Sequence, residues 1–263
     1  GEIYNFKLLR KYLKVKSLNS NSDTEVLLNL YEEMGTKIFD HLRGMFSFVI
    51  YNFQTKKILV ARDQFGIKPL YFYDCKKFVI FSSEIKPILN YIKKINFNYH
   101  TIAEFLLLGK QDHHDTTFFE NIKAIQPSHY YKFTQNKIIK KKYWSLFLSK
   151  HKNQNEKKTI DKLYDLVDSK IDDYLISDRK IGVFMSSGID STSLASLISQ
   201  KTKYKIDSFT YDFKNNYNLG ESDLAKSNAN KIGINNHKIF LTSDDVVNEF
   251  DKVSLTMESP FTS

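Results

Sequence analysis

Ile181-Gly182-Val183-Phe184-Met185-Ser186-Ser187-Gly188-Ile189-Asp190-Ser191-Thr192 decides how the second half of the chain folds. Ile181 to Met185 are uncharged and mostly bulky, as a buried parallel strand requires. Ser186, Ser187 and Gly188 let the chain turn sharply and leave backbone N–H groups facing outward. The run Thr192-Ser193-Leu194-Ala195-Ser196-Leu197-Ile198 then begins a helix whose N-terminus points at that turn. Free N–H donors at the positive end of a helix dipole make an anion site. The dipole alone contributes roughly 0.3–1 kcal/mol at an exposed helix end, so the hydroxyls of Ser186, Ser187 and Ser191 and a metal must add to it. Asp190 repels a phosphate unless a cation sits between them, and so argues for Mg²⁺. The run G-x-x-x-x-G-K-[ST] is absent, which excludes a Walker A loop. A plain serine-rich strand-to-helix turn is the bland alternative.

Outward from this stretch the pattern repeats. Upstream, Ile160, Leu163, Val167, Ile171 and Leu175 recur at three and four, predicting one long amphipathic helix. Downstream the sequence predicts a helix over 191–200, a strand over 206–212, a helix over 221–232 stopped by Gly233, a strand over 238–241 and a helix from Ser243. Such alternation predicts a parallel sheet with helices on both faces and ligands at the C-terminal strand ends, where residues 186–191 lie. His237 reads as a structural histidine at a strand edge, against an acid–base alternative.

The N-terminal half reads differently. Gly1-Glu2-Ile3-Tyr4-Asn5 precedes an amphipathic stretch with Leu8, Leu9 and Leu13. Ser22 with Glu25 forms a capping box for a helix with Val26, Leu27, Leu30, Tyr31 and Met34 on its buried side, closed by Gly35. A second short helix covers Lys37 to Leu42. From Met45 the period changes to two, predicting a strand, a turn at residues 52–55 and a return strand over Lys57–Arg62. Strands at Leu70–Tyr73 and Phe78–Ser82 follow, then a short helix capped by Ser83 and carrying Ile85, Ile88 and Leu89. Thr101 and Glu104 read as another capping box, with Gly109 ending that helix. Hairpins with helices suggest an α+β layered domain. Gln111-Asp112-His113-His114-Asp115 is tempting as a metal cluster, but neighbours on one loop rarely converge on one ion and the sequence places no third ligand nearby. Ser149 to Lys158 is a polar, basic linker.

Composition sets the outer bounds. The 263 residues have room for two domains. A net charge of +9 invites a nucleic-acid reading, but the densest runs, Lys137–Lys142 and Lys150–Lys158, sit in polar, loop-like sequence and read as solvated surface. The single cysteine, Cys75, excludes a disulfide framework and a multi-cysteine metal site. No stretch reaches the length of a membrane span and no signal peptide stands at the start, so the reducing cytoplasm is the default. Gly1 without Met and the stop just after Pro260-Phe261-Thr262 suggest a fragment.

Ser186 to Ser191 resembles the pyrophosphate loop S-G-G-x-D-S of the ATP pyrophosphatases, with Ser187 where the first glycine usually stands. Gly1–Asn5, Gly44-Met45-Phe46-Ser47-Phe48, Ala61-Arg62-Asp63-Gln64-Phe65-Gly66-Ile67-Lys68-Pro69-Leu70-Tyr71 and Phe81-Ser82-Ser83-Glu84-Ile85-Lys86 resemble the glutaminase domain of the glutamine-hydrolysing asparagine synthetases. With similar spacing and order, the resemblance covers nearly the whole chain. It implies an α+β N-terminal-nucleophile hydrolase glutaminase domain at residues 1–148, including an interdomain segment closed by Tyr143-Trp144. An α/β parallel-sheet ATP pyrophosphatase domain, adenine nucleotide alpha hydrolase-like, follows at residues 149–263.

The resemblance also implies site roles. Gly1, Glu2 and Asp23 bind glutamine: Gly1 offers an N–H to the oxyanion, and two carboxylates hold the substrate ammonium. Asp23 could equally serve the helix dipole. Met185, Ser186, Ser187, Gly188, Asp190, Ser191 and Tyr211 bind ATP, with Asp190 on Mg²⁺ and backbone near Met185 and Tyr211 flanking the adenine. The N-terminal nucleophilic cysteine and the asparagine before Gly1 are absent, and Cys75 sits in a turn, so no catalytic residue is assigned and this polypeptide should not hydrolyse glutamine. Arg62 and Asp63 read as a structural ion pair beside the Gly66 turn. Ser128 stands where the interdomain segment usually has glycine. Met257-Glu258-Ser259-Pro260-Phe261 falls where many members show Asp-Glu-Pro, and the second Mg²⁺ motif S-G-x-G-x-D-E is missing. The implied activity adenylates aspartate with ATP and amidates it with glutamine-derived ammonia. A homodimer is allowed, and neither nucleic acid nor membrane is a partner. The alternatives are amidation of a sugar acid or secondary-metabolite acid, an inactive fragment or binding protein and, third, a nucleic-acid binder.

Overall fold

The computed structural model describes residues 1–14, 17–75, 77–110, 113–134, 137–147, 155–177, 179–213 and 221–260. The chain divides into two compact units, Gly1–Ser149 with Ser254–Ser263, and Lys150–Val253. Among the described residues, no helix is long and apolar enough to cross a membrane.

The first unit opens with β1 (Glu2–Ile3), α1 (Phe6–Leu9), a 3-10 turn (Arg10–Tyr12), α2 (Asp23–Met34) and a 3-10 helix (Gly35–Asp40). It continues through β2 (Gly44–Met45), β3 (Ser47–Asn52), β4 (Lys57–Arg62), β5 (Tyr71–Asp74), β6 (Val79–Ser82), α3 (Ile85–Ile92), α4 (Tyr99–Leu108), β7 (Ile122–Ala124), β8 (His129–Phe133) and β9 (Ile138–Lys142). Antiparallel sheets run β3-β4-β8-β9 and β6-β5-β7, and β1 pairs with β2.

Alternation along β4 explains the layering, because successive side chains leave opposite faces. Leu59 and Ala61 join Val26, Leu27 and Leu30 of α2 in one core, whereas Val60 joins Leu70, Phe72, Tyr131 and Phe133 between the sheets. On the far side of the second sheet, Tyr71, Tyr73 and Ile80 pack on Ile85 and Ile88 of α3. The order is therefore helix, sheet, sheet, helix. Burying each large side chain contributes roughly 1.5–3 kcal/mol, which favours a strand apolar on both faces at the centre.

Several local expectations are corrected. The strand predicted from Met45 is interrupted at Phe46, whose carbonyl accepts from Asp63 N instead of a neighbouring strand (2.8 Å). Ser22 does cap α2, accepting from Thr24 N at 3.1 Å. Glu25, however, takes the N–H groups of Asn19 and Ser20, so the reciprocal half of that capping box is absent. Asn98, not Thr101, caps α4; Thr101 lies inside the helix, buried, and donates to Thr116 Oγ1 at 3.2 Å. Ser83 does not cap α3. Its first N–H groups go to the carboxylate of Glu258, at 2.5 Å from Ile85 N and 2.7 Å from Lys86 N. The Lys137–Lys142 run forms the edge strand β9 rather than a loop, where lysines discourage further strand pairing.

The second unit contains α5 (Glu156–Tyr174), β10 (Gly182–Phe184), α6 (Ile189–Lys201), β11 (Asp207–Phe213), α7 (Glu221–Ile232), β12 (Asn235–Leu241) and most of α8 (Ser243–Met257). The strands are parallel in the order β10-β11-β12. Ile171, Val183, Met185, Ala195, Ile198, Ile206, Ala229 and Ile234 form its core. Only the later half of the α5 stripe joins this core; Ile160 and Leu163 stay more than half exposed.

Among the described residues, the expected cover of helices on both faces is not found. Val183, Met185, Ser208 and Thr210 are buried, while Phe184 and Tyr211 on the opposite face are 84% and 66% exposed. An unbroken strand order with right-handed crossovers sends successive helices to one face, and covering the other requires a reversal of that order.

Candidate functional site

β10 delivers the chain to the serine-rich turn, and α6 carries it away. Met185, buried, donates its N–H to Phe209 O at 2.9 Å and accepts from Thr210 Oγ1 at 2.6 Å, which fixes the base of the turn to β11. Thr210 is a positioning residue that the sequence reading missed; its signal was a threonine one residue before Tyr211. Above that base, Ser191 Oγ lies 2.9 Å from Ser186 Oγ and accepts from Ser186 N at 3.1 Å. Gly188 N donates to Ser186 Oγ at 3.2 Å. These contacts hold residues 186–191 in a tight turn.

The turn is open to solvent. Ser186, Gly188 and Asp190 are exposed, and Ser187 and Ser191 are half-buried. Gly188 is the N-cap of α6 and supplies no side-chain acceptor. The N–H groups of Ile189, Asp190 and Ser191 therefore have no intrahelical carbonyl and remain available to an anion. The Asp190 carboxylate makes no hydrogen bond or ion pair among the described residues. One free carboxylate beside hydroxyls suits Mg²⁺, which takes one or two protein carboxylates and completes its shell with water and phosphate oxygens. Tyr211 lies one strand over, two residues beyond the Phe184–Phe209 pair, so Met185 and Tyr211 both sit at the strand ends near the turn.

In the first unit, Asp23 contacts Ile3, the residue after Glu2 in β1. Asp23 is the first residue of α2, and its Oδ2 accepts from Ile3 N at 2.9 Å. It thus ties β1 to the helix N-terminus as well as occupying the dipole position. Glu2 is exposed and lies opposite Met45 in the β1–β2 pair. The approach of the two strands is close: a Cβ on Gly44, whose φ is +147°, would stand 2.1 Å from Glu2 O. Only glycine accepts that backbone and that contact.

The Arg62–Asp63 pair is structural, but no ion pair joins the two among the described residues. Asp63, buried, accepts from Phe65 N and Ile67 N through Oδ1 and from Lys68 N through Oδ2, at 2.9–3.0 Å. Arg62 donates to the carbonyls of Lys68, Gly66 and Ile125 at 2.7–2.9 Å. Each spends its charge on main-chain groups of the turn. Ser128 keeps a left-handed backbone, φ +64°, with its hydroxyl donating to Gln64 O at 2.7 Å. Tyr143 donates to Arg62 O at 2.7 Å, and burial, aided by Asp63, pushes its hydroxyl pKa above the usual tyrosine value.

The remaining candidates are placed plainly. Trp144 packs edge-on to Phe65 at 5.2 Å. Cys75 is a free thiol in the turn after β5. His237 pairs with Asp207 at 2.8 Å and stacks on Phe209; its hydrogen bond, with that of Asn235, lowers the Asp207 pKa. Gln111 and Asp112 lie outside the described residues, as does much of the linker. His113 and His114 do have a third partner: Glu104 of α4 lies 3.4 Å from His113 Nε2 and 3.9 Å from His114 Nε2.

The chain matches two family models, that of the glutamine amidotransferase domain over residues 1–144 and that of asparagine synthase over residues 162–263. Among curated proteins it is similar to asparagine synthetase (glutamine-hydrolysing) 2 of Bacillus subtilis strain 168, at 31% identity over 278 residues, covering 99% of this chain and 37% of that protein. Asparagine synthetase (glutamine-hydrolysing) 3 of the same organism is 26% identical over 276 residues, covering 99% and 45%. Amidase chry2 of Gibberella zeae is 26% identical over 282 residues, covering 99% and 41%. The chain spans about two fifths of the length of these relatives.

Proposed function

We propose, from the premise that this chain belongs to the asparagine synthetase family, that it is the part of an ATP-dependent amide ligase that carries a glutamine site and a pyrophosphate clamp. The first unit is read as an N-terminal-nucleophile hydrolase sandwich, a reading supported by the helix–sheet–sheet–helix order around β4. The second is read as an ATP pyrophosphatase domain of the adenine nucleotide alpha hydrolase type. The observation that carries the function is the exposed turn at residues 186–191, with free first-turn N–H groups, clustered serine hydroxyls and one unpaired carboxylate.

In this reading the main-chain N–H groups of Ile189 and Asp190 and the hydroxyls of Ser186, Ser187 and Ser191 grip the β- and γ-phosphates of ATP. A carboxylate oxygen of aspartate attacks the α-phosphorus, the bond to the β-phosphate bridge breaks, and pyrophosphate leaves into the clamp. Donors aimed at the charge that develops on that leaving group contribute roughly 2.7–4 kcal/mol each to the barrier reduction. Asp190 would hold Mg²⁺, which supplies charge neutralisation between the phosphate oxygens. Ammonia then attacks the acyl carbon and AMP departs. On the other unit, Glu2 and Asp23 fix the ammonium of glutamine, and Gly1 N–H faces the developing oxyanion. Asp23 keeps Oδ2 on Ile3 N–H and takes the hydroxyl of Thr24 on Oδ1 at 3.3 Å, so the ammonium would share Oδ1 with that hydroxyl.

The test is Asp190→Ala in the complete gene product. ATP–pyrophosphate exchange should vanish while glutamine hydrolysis persists; exchange at the wild-type rate would sink the assignment. The amidase-named relative favours a second reading in which the carboxylate acceptor is a sugar acid or secondary-metabolite acid. Pyrophosphate release that depends on such an acid, and not on aspartate, would select it. Cytoplasmic residence and a homodimer belong to the same proposal.

A further inference from the structure

We infer that Glu104, His113 and His114 form a binding site for a borderline divalent transition ion, Zn²⁺ first among them, with His100 as a fourth ligand. The site lies in the first unit and is separate from both sites above.

Local structure assembles it. His100 and Glu104 are one turn apart on α4 and share a face. Gly109, φ +63°, ends that helix in the left-handed conformation and turns the chain back, so that His113 and His114 return alongside Glu104. The returning segment is pinned immediately afterwards. Ala124 N donates to Asp115 O at 2.8 Å, Lys140 pairs with the Asp115 carboxylate at 2.6 Å, and Thr101 of α4 donates to Thr116.

The distances are those of metal ligands rather than of hydrogen bonds. The ligand atoms of Glu104, His113 and His114 all lie within 4.8 Å of one another. His100 Nδ1 stands 3.6 Å from Glu104 Oε1, and His113 and His114 Nε2 stand 3.4 Å and 3.9 Å from the same carboxylate. Hydrogen bonds between such groups would be about 2.7–3.2 Å long. Bonds of about 2.0–2.1 Å at tetrahedral angles put ligand atoms about 3.3–3.4 Å apart. The separations to Glu104 thus exceed that spacing by about half an ångström at most, while the two imidazoles, whose ligand atoms lie within 4.8 Å of each other, and the exposed His100 must move further to close around an ion. Glu104 and His113 keep 21% and 29% of side-chain exposure, which restrains them, while His100 at 81% is free to swing in.

Donor chemistry selects the ion. Imidazole nitrogens with one carboxylate suit Zn²⁺, Co²⁺, Ni²⁺ or Cu²⁺ and not the oxygen-seeking Mg²⁺ or Ca²⁺. A bound ion would clamp the segment after Gly109 to α4.

Untagged protein, stripped with chelator and titrated with Co²⁺ near neutral pH, should develop tetrahedral d–d absorption that saturates at one ion per chain and is displaced by Zn²⁺. Glu104→Gln and the double variant His113→Ala/His114→Ala should weaken binding about 100-fold or more, since losing even an outer partner of a ligand costs about 10–100-fold. His100→Ala should cost less, and His237→Ala nothing. Circular dichroism and melting of the metal-free variants, whose changes are near the surface, should match wild type. Absence of stoichiometric Co²⁺ binding by the folded wild-type protein, or binding that survives the double variant, would overturn the site.

Discussion

Replacing Asp63 by asparagine tests whether its carboxylate serves the main chain of the 63–68 turn or pairs with Arg62. The substitution is isosteric and leaves the backbone bonds of residue 63 in place: its N–H to Phe46 O, and its carbonyl accepting from Gly66 N and Ser128 N. The remaining side-chain oxygen can still accept from Phe65 N and Ile67 N. The new amide, however, sets a donor against Lys68 N, which loses its acceptor. Hydrogen bonds to a charged group contribute roughly 1.5–3 kcal/mol net, and neutral ones about half as much. One bond lost and two weakened therefore sum to about 3–6 kcal/mol, and relief from burying a charge offsets about a third of that, leaving ~2–4 kcal/mol. Asp63→Ala, which strips all three, should cost about 4 kcal/mol or more. Trp144, the single tryptophan, packs on Phe65 within this turn and reports the first unit by fluorescence. At a urea dependence of ~2 kcal/mol per molar, Asp63→Asn should move the Trp144 midpoint down by about 1–2 M, with Asp63→Ala lower still. A midpoint for Asp63→Asn equal to that of wild type would refute the account of the turn.

Two further outcomes follow from the first unit. Gly44→Ala should lower its stability by about 3 kcal/mol or more, read by the same fluorescence, because a Cβ at φ +147° adds backbone strain to a 2.1 Å clash with Glu2 O; a stability loss under 1 kcal/mol would show that the β1–β2 contact is not that close. Burial pushes the Asp115 carboxyl up, but the hydrogen bond and charge of Lys140, with Lys123 behind it, outweigh burial and hold it below the usual carboxylate value. A depressed folded pKa gives stability that is present above about pH 4 and lost as pH falls further, so the advantage of wild type over Asp115→Asn, about 1 kcal/mol or less for a partly exposed pair, should shrink progressively as pH is lowered from about 4 in acid unfolding curves; an advantage that grows on acidification would reverse the assigned sign.

The regular elements were legible where one periodic signal acted alone. The return strand is found at Lys57–Arg62 and the helix at Glu221–Ile232, each with the predicted bounds, because an apolar run or a helical stripe ends there against turn residues. Helix starts were less legible. Ser83 and Thr101 have the right side chains for caps, yet α3 is capped by Glu258, 173 residues along the chain from Ile85, and α4 by Asn98. A cap consists of whichever acceptor reaches the orphan N–H groups first, and the local sequence cannot name a distant competitor. The face of the parallel sheet left open by β10-β11-β12 was hidden for a related reason: strand order is a long-range property that alternation of elements does not specify.

The site residues divide along the same line. Strand, turn and helix around residues 182–201 depend on neighbours in sequence, and so do the contacts of Ser186 with Ser191 and Gly188, which span five residues at most. Residue types alone therefore described that turn before its geometry was known. What holds it in place does not lie within it: Thr210 reaches Met185 across 25 residues, and its role appears only once β10 and β11 are side by side. The Glu104, His113 and His114 cluster shows the limit most clearly. The sequence displays two adjacent histidines and no third ligand, because the glutamate belongs to a helix read as capped by Thr101. Moving the cap to Asn98 puts Glu104 in the second turn of α4 on the face of His100, and the left-handed Gly109 then carries the histidines back to it. One misassigned cap was enough to conceal a whole constellation, since a helix begun at Thr101 leaves His100 outside it and only inclusion of His100 puts it, four residues before Glu104, on the same face.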